Sequence, residues 1–567
     1  MSPRTRDDGG AALCRTLAQL GVDVVFGVPG TQTIGIWEAF RRAGRPRLVG
    51  ATSELAAAFM ANGLARATGG AGVVLTIPGP GFTYALPGIA EAFLDSAPVV
   101  HLTAAPAGRA DGGFALQAIR QSDVAAPITK ATLAVREAAE IEAAVREAVA
   151  RALAGEPGPV LLELPEEAVR GAARPGPAPS PAPAPETAPG DVEALVQRLE
   201  SAARPLVLAG QGAAGAAAQV ASLAEALHLP VLTTTSGRGV LAETHPLCLR
   251  FDSPGAPVGP LQELIDSSDL VLVLGAKLSH NGTHGARLVL PPERLVRVDA
   301  SPDVLARGYP AGLAVAADVG DLLPRVLARL TARTTWPDGE LEAWRARLAA
   351  AMRAPREPTL AGAEPAALVG ALRRALPEEA VVTTDSGLHQ YVLRRHLEVL
   401  RPRTLLVPAD FQSMGFGIPA AIGAAAGTGA PALAVVGDGG FAISATELAT
   451  AVAESLPVAV LVLVDRAFGL IRRQQLRRTG FESGVALPRV DVGGLAAAVG
   501  AQHHQVREEG LESAVARALD FSAVTVIEVE MDDGRNAAHD RRLGRLRSAL
   551  AQLGLDDAAA RLRERRR

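Results

Sequence analysis

Gly437-Asp438-Gly439-Gly440 closes an apolar run at residues 432–436, and Asp465 closes another at residues 458–464. If the two runs are neighbouring parallel strands, both carboxylates meet at one carboxyl edge, where α/β proteins build ligand sites. Two carboxylate oxygens, a backbone carbonyl and phosphate oxygens make an octahedral set suited to magnesium. The glycines let the backbone approach a ligand, and a helix expected from Ser444 favours anions near its start. Gly-Asp-Gly alone is equally a plain turn; Asp465 tips the balance. A third acid, Glu54, sits early in an Ala-rich helical stretch at residues 51–69. Taken alone, it complements a helix dipole.

The elements that must carry these acids are short apolar runs alternating with helical patterns, the mark of parallel α/β sheets. Strands are expected at residues 22–28, 72–77, 98–103 and 159–164, then at 206–209, 270–274 and 295–298. A third set falls at 380–384, 432–436, 458–464 and 524–529. At 567 residues the chain is too long for one core. A Pro/Ala tract at residues 172–190 reads as a semi-rigid linker. A weaker boundary covers 331–364, and the Arg-rich tail 532–567 reads as a peripheral helix. The expected domains are therefore residues 1–171, 191–330 and 365–531, each a doubly wound parallel sheet.

Composition narrows the function. The net charge of −4 offers no reason to expect nucleic acid or an anionic membrane as partner. No apolar run is long enough to span a bilayer. Two distant cysteines, Cys14 and Cys248, provide neither a disulfide framework nor a metal cluster, which fits the cytoplasm.

The segment GDGGFAISATELATAV, followed by LPVAVLVLVDRAFGLI, resembles the diphosphate-binding motif of thiamine-diphosphate enzymes, with Val464-Asp465 where two asparagines are usual. The resemblance implies magnesium ligands at Asp438, Asp465 and the carbonyl of Ala467, and cofactor contacts at Gly437, Gly439, Gly440, Phe468 and Gly469. Residues 51–69 resemble the family's pyrimidine-domain helix, which implies that Glu54 hydrogen-bonds the aminopyrimidine ring and shares a proton with it. Phe26-Gly-Val-Pro-Gly30 and Thr76-Ile-Pro-Gly-Pro-Gly81 resemble turns of the same domain. Gln117, ten residues before Pro127, matches a glutamine near the substrate; an exposed helix glutamine is the competing reading. Asp385-Ser-Gly-Leu-His-Gln390 resembles the diphosphate loop, which assigns Gly387 and His389 to the cofactor. Gln412-Ser413-Met414 resembles the segment whose apolar side chain, here Met414, wedges the cofactor into a bent form. The likeness spans nearly the whole chain as pyrimidine-binding, central and diphosphate-binding domains. That order is shared by acetolactate synthases and benzoylformate decarboxylase.

The resemblance implies a 2-oxo acid substrate and a homodimer or homotetramer with the active site shared between subunits. Thr31, Ile77, Phe468 and Ile471 are expected to wall the substrate pocket. Some decarboxylases of this group carry histidines beside the cofactor, but here the loop reads Thr76-Ile77-Pro78. A site poor in proton donors favours transfer to a second carbonyl, as in acetolactate synthases, with simple decarboxylation as the alternative. His280 or His284 of the central block could reverse that. Gly210-Gln-Gly-Ala-Ala-Gly215 is a formal dinucleotide fingerprint and raises an NAD-dependent oxidoreductase as rival. The next strand ends Thr233-Thr-Thr235, without the acid that would hold a ribose hydroxyl. FAD, bound by this domain in acetohydroxyacid synthases, is doubtful here, because Gly275-Ala-Lys-Leu-Ser-His280 replaces the usual flavin-side sequence. A non-catalytic relative is the remaining alternative, and intact Glu54, Asp438 and Asp465 argue against it.

Overall fold

A computed structural model describes residues 8–105, 115–173, 188–252, 254–353, 359–360, 364–506 and 511–532. Most of the Pro/Ala tract (174–187) and nearly all of the tail (533–567) lie outside these residues.

Three sheets form in sequence. The first holds β1 (Val24–Gly27), β2 (Arg47–Gly50), β3 (Gly72–Thr76), β4 (Val99–Ala104), β5 (Ala131–Ala134) and β6 (Val160–Leu164). Their order is β2-β1-β3-β4-β6-β5, all parallel. The second holds β7 (Pro205–Ala209), β8 (Val231–Thr233), β9 (Leu270–Leu274), β10 (Leu295–Asp299) and β11 (Leu313–Ala316), in the order β11-β10-β9-β7-β8. The third holds β12 (Thr359–Leu360), β13 (Val381–Thr384), β14 (Leu405–Leu406), β15 (Ala432–Gly437), β16 (Val458–Val464), β17 (Gln502–Val506) and β18 (Thr525–Asp532). Its order is β12-β18-β16-β15-β13-β14, with β17 also on β18 and only β12 antiparallel. Central strands such as β16 are buried at every position, as parallel strands covered on both faces must be.

Two departures from the sequence expectation stand out. Where a second linker was expected at residues 331–364, the chain forms helix Asp338–Met352, and Trp336, Leu341 and Leu348 join the core of the second sheet. The helix expected from Ser444 is present as a short turn and Leu448–Ala453, but it is preceded by an unexpected helix that begins at Asp438 itself and ends at Ser444. Glycines at 439 and 440 argue locally against a helix. Tertiary packing overrides that preference, because a side chain at Gly440 would collide with the Asp385 carboxyl.

Of the helices that follow, α1 is Glu54–Thr68, α2 Pro80–Leu94, α3 Leu388–His396, α4 Gly417–Thr428 and α5 Asp438–Ser444. The first and third sheets share a core in which α1 lies against α4. Small residues make that approach possible: a side chain at Gly63 would strike the Ala420 backbone, and one at Gly423 the Met60 carbonyl. Gly423→Ala is therefore expected to cost about 1–3 kcal/mol by overpacking. Chemical denaturation checks this; an unchanged midpoint would mean the two helices can part freely.

Candidate active site

The carboxyl ends of β13, β15 and β16 lie side by side, with Thr384 paired to Val435 and Gly437 to Leu463. The next residues are Asp385, Asp438 and Asp465, so the topology gathers three acids at one edge. Asp438 is buried in the first turn of α5, and burial raises its carboxyl above the ordinary range. Its Oδ1 accepts the Gly439 N–H at 3.0 Å and its Oδ2 the Arg466 N–H at 2.9 Å. The second bond ties the two acidic turns together. It also holds Arg466 at φ 54°, a left-handed conformation costly for a residue with a side chain. Asp465 Oδ1 accepts the Ala467 N–H at 3.2 Å, and Gly469 is required because a side chain there would strike Asp465 Oδ2.

Around these acids lies a cradle. Gly437 and Gly387 both border the His389 ring, whose Nε2 is buried without a hydrogen-bond partner. Burial pushes this imidazole down to about 4, so it is neutral at physiological pH. Gly387 is the N-cap of α3, placing free N–H groups at the same spot. Over Gly439 converge Leu487, Met414 and Phe468, at 3.1–3.4 Å from where a β-carbon would stand. Asp385 is fully buried and accepts the N–H groups of Gly415 at 2.9 Å and Gly417 at 2.7 Å. Burial lifts it to about 6.

The second group of residues sits on the first sheet. Glu54 is the first residue of α1, capped by Ser53 Oγ, which accepts the Ala56 N–H at 3.3 Å. Glu54 is buried, and a β-carbon on Gly81 would stand 2.8 Å from its Oε1. The Ile77 side chain fills the space between Gly30 and Gly81, so Gly30, Ile77 and Glu54 form one wall. Gln117 holds φ 59° with its backbone packed on Gly79, and its Oε1 accepts Gln32 Nε2 at 2.6 Å. Thr31 is exposed at the start of a short turn beside them. Phe468 and Ile471 are 37% and 47% exposed on the other half.

Histidines do not enter either wall. His101 is fully buried, 2.9 Å from Thr76 Oγ1 and stacked on Phe82, and burial drives it down to about 3. His284 packs edge-on against Phe251 within the central domain, and burial drives it to about 4. His280 is exposed in a loop whose Asn281 amide donates to the Ala409 carbonyl.

Do these residues fit the implied cofactor? No three His, Cys, Asp or Glu side chains converge on one point among the described residues. A cation would thus rest on Asp438, Asp465 and non-side-chain oxygens. The Ala467 carbonyl accepts the Gly469 N–H at 2.8 Å and keeps a second lone pair. The unpartnered His389 nitrogen and the glycine-lined cradle are what a diphosphate needs. The donor set fits.

A cleft of about 320 Å³ lies elsewhere, between the second sheet's carboxyl edge and the first domain, lined by Gln211, Thr234, Lys277 and Asp299 among others. Two of the three fingerprint glycines have a packing role there: side chains at Gly210 and Gly212 would run into Gly275, whereas Gly215 has open space around it. That accounts for Gly210 and Gly212 without a dinucleotide.

Comparison with known proteins agrees with this geometry. Residues 7–124 match the thiamine pyrophosphate enzyme N-terminal TPP binding domain, 192–326 the central domain and 385–529 the C-terminal TPP binding domain. The chain is 33% identical to the "Probable 2-ketoarginine decarboxylase AruI" of Pseudomonas aeruginosa, over 93% of this chain and 95% of that protein. It is 30% identical to acetolactate synthase isozyme 1 large subunit of Escherichia coli, over 84% of each. It is 31% identical to the acetolactate synthase large subunit of Parasynechococcus marenigrum, over 82% of this chain and 78% of the other. The protein belongs to the thiamine pyrophosphate enzymes, in the superfamily of acetolactate synthases and 2-oxo acid decarboxylases.

Sequence reasoning missed several polar residues that organise the site: Gln32, Gln121 and Glu447, and the role of Asp385. Gln121 is buried and accepts the Gly79 N–H at 3.2 Å. Glu447 accepts the Thr52 N–H at 3.1 Å and the Ser53 hydroxyl at 3.2 Å, directly before Glu54. Only Asp385 carried a sequence signal, as an acid at a strand end followed by Ser-Gly.

Proposed function

We propose that the protein is a thiamine-diphosphate- and magnesium-dependent carboligase that decarboxylates a 2-oxo acid and passes the acyl unit to a second carbonyl compound. The observation that carries this reading is that, among the described residues, Thr31, Ile77, Gln117, Phe468 and Ile471 bring no histidine or acid to the pocket beside Glu54, and that burial lowers His101 and His284 and keeps them neutral. Thiamine diphosphate, when bound, supplies the carbon nucleophile that adds to the oxo group and accepts the electrons left by carbon dioxide. Asp438, Asp465 and the Ala467 carbonyl would hold its magnesium, and His389 with the N–H groups of α3 its diphosphate. Glu54 would hold and share the proton of its pyrimidine ring. The apolar walls exclude water, and Gln32 and Gln117 orient the acceptor carbonyl by hydrogen bonds.

A second reading, simple decarboxylation, draws on the relative named as a 2-ketoarginine decarboxylase, which matches this chain almost end to end. Turnover of pyruvate, then of 2-ketoarginine, with products resolved separates the two. Acetolactate is the expected product; an aldehyde alone would replace the carboligase reading with the decarboxylase one.

Two supports bear on assembly and location. Large apolar side chains stand exposed on the first and third domains, among them Ile34 (58%), Tyr84 (64%) and Phe481 (73%), as a face covered by a second copy would require. The active unit is therefore a homodimer or a larger homo-oligomer with shared sites. A fully active monomer in sedimentation would contradict this. No helix among the described residues is long and apolar enough to cross a membrane. Cys14 and Cys248 are free, buried and pushed up to about 12 by burial, in keeping with a reducing cytoplasm.

A further inference from the structure

Between β14 and α4, residues 407–416 have no regular structure, yet they deliver Met414 to Gly439. Their backbone groups need partners from elsewhere. The C-terminal side of Met414 is held inside its own domain by Asp385, through Gly415 and Gly417. The N-terminal side is held across the domain boundary by α2. Asp95, which follows α2, accepts the Ala409 and Asp410 N–H groups, both at 3.0 Å. Arg66 of α1 pairs with Asp95 at 3.1 Å and donates to the Val407 carbonyl at 2.9 Å. Glu91 Oε2 accepts the Ser413 N–H at 2.9 Å.

Glu91 is fully buried, and its Oε1 is a polar atom without a hydrogen-bond donor in the structure. It lies beside the Asp95 carboxyl, so a proton on Oε1 shared toward Asp95 satisfies both groups. Burial first, then the charge of Asp95, raises the Glu91 carboxyl to about 8. The groups facing it are Asp95, itself paired with Arg66 of α1, and the hydroxyl and N–H of Ser413. The same helix, α2, has Gly81 against Glu54 at its other end.

We propose that Glu91 is a positioning residue for the cofactor: through Ser413 it sets Met414 against Gly439, and so ties the first domain to the wedge. This rests on the reading of Met414 as the support of a bent, bound thiamine diphosphate. Protonated Glu91 shares its proton with Asp95, whereas the Ser413 contacts favour the carboxylate. Deprotonated Glu91 repels Asp95, whose carboxyl holds the Ala409 and Asp410 N–H groups, and so loosens the N-terminal side of the segment. Because its folded value lies above the ordinary carboxylate range, this hold is complete in mild acid and is lost as pH rises through about 8.

The test uses the full chain with magnesium and titrates thiamine diphosphate by thermal shift and tryptophan fluorescence, from pH 6.5 to 9. For the wild type, affinity is expected to fall severalfold over that range. Glu91→Gln keeps an acceptor for Ser413 and a donor for Asp95, so it should retain wild-type affinity at pH 7 and lose the decline. Glu91→Ala should weaken affinity about tenfold or more and raise KM for the cofactor, with kcat at saturation nearly preserved. Variants that bind like the wild type at every pH, decline included, would overturn the inference while leaving the functional reading intact. A wild type with no response to thiamine diphosphate would instead overturn the functional reading itself.

Discussion

Glu54→Gln is expected to lower kcat by about 10²–10⁴-fold, the range for removing a positioned proton-transfer group. The substitution keeps the shape of the side chain and so isolates its proton. Glu54 is buried against Gly81 and Ile77, where a larger change would disturb packing. Its helix cap, Ser53, is untouched, so the melting temperature should stay near that of the wild type. Carbon dioxide release under saturating substrate and cofactor is the measurement. Unchanged release would remove Glu54 from the mechanism.

Loss of Asp438 should act on binding rather than on turnover of the bound state. A ligand at 100 times its dissociation constant stabilises its protein by about 2.7 kcal/mol. If Asp438→Ala weakens the joint binding of magnesium and thiamine diphosphate about 100-fold, only about 0.4 kcal/mol of that remains. The rise in melting temperature on adding both should then nearly vanish. The variant also orphans the Arg466 N–H, which costs about 1–3 kcal/mol without any ligand. The informative quantity is therefore the ligand-induced shift, taken against each protein's own cofactor-free value. A shift equal to that of the wild type would exclude Asp438 as a ligand.

Much of this was legible in the chain. Every central strand of the three sheets showed as an apolar run, since parallel strands buried on both faces need nothing but aliphatic side chains. The short edge strands β2, β5 and β17 did not show, because they are half-exposed and carry mixed residues. Helix Asp338–Met352 was hidden behind a Pro-containing boundary, although Trp336 ahead of it is fully buried.

At the site, the sequence by itself determined the pairing of Asp438 with Asp465 and the glycines around them. An acid at a strand end followed by a turn is a local pattern, and parallel pairing places two such ends together. Tertiary structure alone decided what those groups touch. Ser413 meets Glu91 across 322 residues, Thr52 meets Glu447 across 395, and Gln32 meets Gln117 across 85. It also decided that α5 starts at Asp438, since only the distant Asp385 carboxyl explains why glycine must stand at 440. Local preference names the residues that can do chemistry. Long-range packing sets which buried polar groups find partners, and no single stretch of sequence carries that information.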